Sequence, residues 1–185
     1  MKSYLITDPK YYTNNPLQFQ KNLEKSFLNH QIDMACFRDK SSENFKELAT
    51  LFIKSCKKNH IQETFINSNY ILAKQLNATG VHLTSTQFDC IEKAKGLGLK
   101  VIISCHTENE INLAIKNGAE IITYSPIFPT PNKGEPKGIK NLQNVCERYS
   151  IPIIALGGII DDTQIETLKK QTQCFGFASI RYFVN

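Results

Sequence analysis

The residues best suited to chemistry are cations and small polar groups at the ends of short β-rich runs. Met34-Ala35-Cys36-Phe37-Arg38-Asp39-Lys40 puts Cys36, Arg38 and Lys40 on one face of an extended chain, because side chains alternate along a strand. Two cations at that spacing suit a phosphate or diphosphate; they equally suit a solvated pair held by salt bridges. Ala155-Leu156-Gly157-Gly158-Ile159 runs toward an Asp-capped helix. Its paired glycines let backbone N–H groups close on an anion, or simply make a tight turn. Between Ser125 and Lys137, four prolines and Gly134 mark a loop that carries Thr130, Asn132 and Lys133, all groups that can hold phosphate. That loop reads as a lid over a ligand or as an inert surface connection.

Ser104-Cys105-His106 ends another β-rich run, with Ser104 and His106 on one face. His106 is the candidate general base, or a hydrogen-bonder flanking a helix. His82, within Gly80-Val81-His82-Leu83, reads as a satisfied structural histidine, and His30 and His60 as surface groups near helix ends. Cys105 is a nucleophile only if its thiol pKa is lowered. Asn67-Ser68 offers an amide and a hydroxyl to a ligand, but the two are poor ligands for a divalent cation. The six cysteines form no CxxC pair, so neither a zinc site nor a disulfide framework is expected. Reduced thiols in a cytoplasmic protein are the plain expectation.

These groups must be positioned by an alternation of strands and helices. Strands are predicted at Tyr4–Thr7, Ile32–Phe37, Thr64–Asn67, Gly80–Leu83, Lys100–Ser104, Glu120–Tyr124, Pro152–Leu156 and Phe175–Ile180. Between them, helices are predicted at Pro16–Asn29, Ser41–Lys58 with Ser41 or Ser42 as cap, Tyr70–Asn77, Gln87–Leu97, Glu108–Asn117, Ile139–Tyr149, and from Asp161 or Asp162 to Lys170. Thr107 and Glu110 have the spacing of a capping box. Eight strand–helix units imply parallel strands, right-handed crossovers and a closed (β/α)8 TIM barrel, with sites at the C-terminal ends of the strands. An open doubly wound sheet is the rival architecture. Only Arg181–Asn185 follow the eighth strand, so the final outer helix is truncated, and a partner subunit or an exposed groove is expected there.

The chain of 185 residues suits a single domain spanning 1–185, with 41% hydrophobic and 21% charged residues. A net charge of +5, with no Lys/Arg run, favours anionic small molecules over nucleic acid. No run of residues approaches a membrane span and no apolar signal core begins the chain.

In this order the pieces resemble the thiamine phosphate synthase/TenI family: Tyr4-Leu5-Ile6-Thr7-Asp8, Phe37-Arg38-Asp39-Lys40, Ile66-Asn67, Gly80-Val81-His82-Leu83, Ser104-Cys105-His106-Thr107, Gly118-Ala119, Pro126-Ile127-Phe128-Pro129-Thr130 and Ile153 to Ile159. The resemblance implies a barrel, a role in thiamine biosynthesis and a phosphorylated thiazole ligand. It makes Arg38, Lys40 and Asn67 contacts of a pyrimidine diphosphate. It makes Ser104, Thr130, Asn132 and Lys133 substrate and phosphate contacts, and Gly158 a thiazole-phosphate contact. A homodimer is the family expectation.

Departures from the family pattern steer the functional reading. Cys36 stands where the synthase has Gln, and Ser68 and Thr86-Gln87 stand where it has the carboxylates that hold Mg2+. The TenI branch resembles the chain better at strands two to four, and its thiazole tautomerisation is a proton transfer that needs no metal. Its base is a His at the position of Pro126, so Cys36, Cys105, His82 and His106 are the candidate replacements, with His106 first. The leading expectation is therefore TenI-like tautomerase chemistry with no cofactor and no metal. The alternatives are a diverged synthase, which would use Mg2+, and a non-catalytic binder of thiazole phosphate.

Overall fold

Alternating side chains decide this architecture, because every strand is buried on both faces. The computed structural model describes residues 1–184. Its strands are β1 (Lys2–Ile6), β2 (Met34–Phe37), β3 (Glu63–Asn67), β4 (Gly80–Leu83), β5 (Lys100–Cys105), β6 (Ile121–Tyr124), β7 (Ile153–Leu156) and β8 (Gly176–Ser179). They close in chain order into a parallel barrel, with β8 returning to β1. One alternate set, including Tyr4, Ile6, Met34, Cys36, Phe65, Ile102, Ile154 and Ala178, fills the barrel. The other, including Leu5, Ala35, Phe37, Ile66, Val81 and Ile103, packs outward under the helices. Strands covered on both faces read as continuous apolar runs, as these do.

The helices are α1 (Pro9–Tyr12), α2 (Pro16–Asn29), α3 (Phe45–Lys58), α4 (Tyr70–Gln75), α5 (Ile91–Gly96), α6 (Glu108–Lys116), α7 (Gly138–Arg148) and α8 (Asp162–Gln171). In α3, Leu48, Ala49, Phe52 and Cys56 make one fully buried stripe. A buried side chain such as Phe52 contributes about 1.5–3 kcal/mol. The predicted capping box forms at α6: Thr107 accepts the Glu110 N–H at 3.2 Å, and the Glu110 carboxylate accepts the Thr107 N–H at 2.9 Å.

Three local readings are corrected. Neither Ser41 nor Ser42 caps α3, because the Asp39 carboxylate takes both their N–H groups at 2.9 Å and bends the chain into a turn. The helix starts after Asn44 instead. The stretch predicted as one helix over 87–97 opens as a 3-10 turn at Phe88–Cys90 before α5. The short α1 was not expected. It is nucleated by Asp8, whose side chain accepts the Lys10 N–H at 3.1 Å, and by Pro9 in the first turn.

After β8 the described chain continues only as a 3-10 turn, Tyr182–Val184, and Asn185 lies outside the described residues. Phe183 lies parallel to Phe177 with ring centres 5.9 Å apart, and covers part of the outer wall. Beside it a cavity of about 720 Å³ runs between α2 and α8, lined by Lys2, Asp33, Glu166, Lys169, Phe177 and Tyr182 among others. A groove thus lies at the gap expected in the helical ring. No helix among the described residues is long and apolar enough to cross a membrane.

Candidate active site

The C-terminal ends of the strands bring most of the singled-out residues to one mouth. On the β2 side, Arg38 is half-buried and its guanidinium meets the Asp8 carboxylate at 2.5 Å. The Thr7 hydroxyl clamps the Arg38 backbone, accepting its N–H at 2.8 Å and donating to its carbonyl at 3.0 Å. Lys40 is exposed and shares a cleft of about 350 Å³ with Asn67 and Ser68. The Asn67 amide donates to the His82 carbonyl at 2.8 Å, so that side chain is partly engaged in joining β3 to β4. Arg38 and Lys40 thus reach the same rim, but only Lys40 opens into the cleft.

Diametrically across the eight-stranded ring, the β6–α7 loop folds over the end of β7. Thr130 and Lys133 bracket a turn closed by the Lys133 N–H on the Thr130 carbonyl at 3.2 Å, with Pro131 and Asn132 in its centre. Asn132 has φ +58°, a conformation that Asn tolerates and that a turn of this kind needs after proline. Gly157 and Gly158 have φ +99° and +74°. A Cβ on Gly157 would lie 2.8 Å from Pro126 Cα and 3.2 Å from Thr130 Oγ1, and one on Gly158 would lie 2.7 Å from Phe128 backbone. The glycines are therefore required by the close seat of the loop, whatever anion they meet. Gln164 secures the same turn, donating to the Gly158 carbonyl at 2.9 Å and accepting the Ile160 N–H at 2.7 Å.

Between these two sides stand Ser104 and His106. The His106 Nδ1 lies 3.0 Å from the Ser125 carbonyl, which can only accept, so Nδ1 carries the proton. Below them His82 is buried, with Nδ1 at 3.1 Å from the Tyr4 hydroxyl and Nε2 at 3.2 Å from Ser104 Oγ and 3.5 Å from Thr123 Oγ1. Burial, helped by the nearby Arg38 charge, lowers its pKa to about 3, so the ring is neutral. Desolvation likewise pushes Cys36 and Cys105 up to about 12, which keeps both as inert thiols. Among the candidate bases, only His106 combines an uncommitted nitrogen with a place at the mouth.

A sequence model of the family described as thiamine monophosphate synthase matches residues 3–183. A protein of Aquifex aeolicus named "Putative thiamine-phosphate synthase 2" is 33% identical over 186 residues, covering 98% of this chain and 96% of its own length. The chain belongs to the thiamine phosphate synthase family. The thiamine-phosphate synthase of Bacillus mycoides is 32% identical over 166 residues, 84% of this chain and 74% of that one. The solved thiamine phosphate pyrophosphorylase of Pyrococcus furiosus matches with a TM-score of 0.80 at 25% identity, covering 97% of this chain and 85% of that one.

The Mg2+ carboxylates implied by the family resemblance have no counterpart in the geometry. Ser68 and Gln87 stand in their places and hold each other, Gln87 Nε2 donating to the Ser68 carbonyl at 3.1 Å. The Gln87 carbonyl oxygen is spent on the N–H and hydroxyl of Thr84, both at 3.1 Å. Among the described residues, no three His, Cys, Asp or Glu side chains converge. These residues do not fit a two-carboxylate Mg2+ site.

Sequence reading missed Thr7, Asp8, Tyr4, Thr123 and Gln164. Asp8 and Thr7 were recoverable in principle: in a ring built in chain order the end of β1 abuts the end of β2. Tyr4 and Thr123 carried no usable signal, since they read as ordinary strand residues until the barrel brings β1 across to β4.

Proposed function

We propose that this chain is a thiamine-phosphate synthase, joining hydroxymethylpyrimidine diphosphate to a thiazole phosphate at the barrel mouth. The observation that carries this reading is the pair of separate rims that carry cations and small polar groups. Arg38 and Lys40 stand at the end of β2, and Thr130, Asn132, Lys133 and the Gly157–Gly158 turn stand opposite, after β6 and β7. Two rims suit two phosphorylated partners meeting between them, whereas a tautomerase handles one phosphate. The relatives named above also carry the synthase's name, which favours this reading over TenI-like chemistry.

In this reaction the thiazole nitrogen bonds to the pyrimidine methylene carbon, and diphosphate leaves with the electrons of its C–O bond. With Ser68 and Gln87 in place of carboxylates, the leaving charge falls to Lys40 and to Arg38, whose pairing with Asp8 takes part of its charge. A cytoplasmic setting fits the unpaired state of all six cysteines.

One observation supports a second reading. His106 stands at the end of β5 with its Nδ1 held 3.0 Å from the Ser125 carbonyl, a placement suited to the proton-transfer group that thiazole tautomerisation requires. The test is a pair of assays. Hydroxymethylpyrimidine diphosphate and thiazole phosphate, supplied together with Mg2+, are expected to yield thiamine phosphate. Aromatisation of the non-aromatic thiazole tautomer with no joining would select the second reading. Binding of thiazole phosphate with neither product would leave a non-catalytic binder and overturn both.

A further inference from the structure

The chain leaving β1 turns on Asp8, whose two carboxylate oxygens are divided between two partners. Oδ1 accepts the Lys10 N–H at 3.1 Å and caps α1. Oδ2 takes the Arg38 Nη1 at 2.5 Å. Asp8 is fixed from both sides. Before it, Thr7 is 1% exposed, and its hydroxyl bridges the N–H and the carbonyl of Arg38. Both of those bonds have a single possible direction, because an amide N–H donates and a carbonyl accepts. After it, α1 ends on the fully buried Tyr12, whose ring meets Phe19, and Phe19 meets Phe37, the residue before Arg38. Arg38 is thus held at its backbone and at its tip by consecutive residues of a core-anchored loop.

An ion pair whose side chains are still 25% and 24% exposed adds little stability. Its effects on a ligand are larger. Nη1 is the only guanidinium nitrogen of Arg38 with a partner among the described residues, so pairing fixes the group and leaves its remaining donors for an anion. The carboxylate also sets a negative charge beside any diphosphate bound there, which lowers affinity for it. We propose that Asp8 is a positioning residue for the diphosphate site. It fixes Arg38 in one orientation for the leaving group and tempers its charge, so that diphosphate is released as product rather than retained. This rests on the synthase reading, in which diphosphate is the leaving group.

Asp8→Asn separates the two roles of the carboxylate. Asparagine caps helices as well as aspartate does, but its NH2 group cannot accept from a guanidinium. The cap survives and Arg38 is freed. Calorimetry with inorganic diphosphate should then show binding about three- to tenfold tighter than in the wild type. Thiamine phosphate formation should show kcat at least about fivefold lower. Asp8→Glu, which restores the charge, should return diphosphate affinity toward the wild-type value. In an Arg38→Ala background, Asp8→Asn should no longer lower kcat, because the residue it acts through is gone. A merely structural Asp8 would give the opposite sign, with diphosphate binding and kcat weakened together and kcat lowered further in the Arg38→Ala background. Weaker or unchanged diphosphate binding in Asp8→Asn would therefore overturn the proposal. If the wild type binds diphosphate but forms no thiamine phosphate, the synthase reading falls and the release role with it, while the binding arm still decides whether Asp8 tempers Arg38. A wild type that binds no diphosphate overturns the proposal outright.

Discussion

Acid should destabilise this barrel through one buried ring. His82 is 3% exposed and its pKa is lowered from 6.5 to about 3, chiefly by burial and secondarily by the Arg38 charge. The unfolded chain binds a proton near the ordinary value, and the native state refuses it until far lower pH. Between the two values the unfolded state holds more protons, so stability falls as pH falls. At about pH 4.5 the linkage removes about 2–3 kcal/mol relative to neutral pH, at roughly 1.4 kcal/mol per unit below the unfolded value. The figure depends little on the native value, because that value lies well below the working pH. The assay is urea unfolding followed by circular dichroism at neutral pH and at about pH 4.5 for the wild type and for His82→Gln. Glutamine keeps an amide donor near the Nε2 position and does not titrate. Carboxylates contribute equally to both proteins, so the wild type should lose about 2–3 kcal/mol more than the variant over this interval. Parallel losses would refute the picture of a buried, neutral His82.

Gly158→Ala should cost about 1–3 kcal/mol in thermal or urea unfolding, since its Cβ would meet Phe128 backbone at 2.7 Å with φ at +74°; a change below about 0.5 kcal/mol would mean the loop seat is soft. Ser68→Asp, made together with Gln87→Asp, should raise the Mg2+ dependence of thiamine phosphate formation. Ser68 already sits at φ +64°, which Asp tolerates, so an unchanged Mg2+ profile would argue against a metal role at this rim. Lys133→Ala should weaken thiazole phosphate binding ~tenfold, the scale of one charged hydrogen bond at an exposed site, and leave inorganic diphosphate unaffected. Equal losses for both probes in calorimetry would merge the two rims into one.

Much of the fold was legible because the governing signals are local. The α2 span Pro16–Asn29, the β4 span Gly80–Leu83 and the Thr107–Glu110 capping box follow from residues within a few positions of one another. The start of α3 was not legible, because it turns on Asp39 capturing two serine N–H groups in preference to a helical cap. The rims were legible as residue types but not as commitments. Arg38 reads as a cation for a ligand, and only the meeting of β1 and β2 shows that Asp8 already holds it. Gly157 and Gly158 read as an anion turn, and only the loop seated on them shows that Pro126 and Phe128 demand glycine there.

By itself, the sequence determined the alternation of eight strands with helices, the closed parallel barrel that such an order forms, and the collection of cations, hydroxyls and glycines at one end of it. Short-range periodicity and capping suffice for these, since each is a property of a few neighbouring residues. Only the tertiary structure decided which polar groups remain available to a ligand. Tyr4, His82, Ser104 and Thr123 come from four strands far apart in the chain, and their hydrogen-bond partners exist only once the barrel closes. Closure also removes His82 from water, which keeps an otherwise titratable ring neutral.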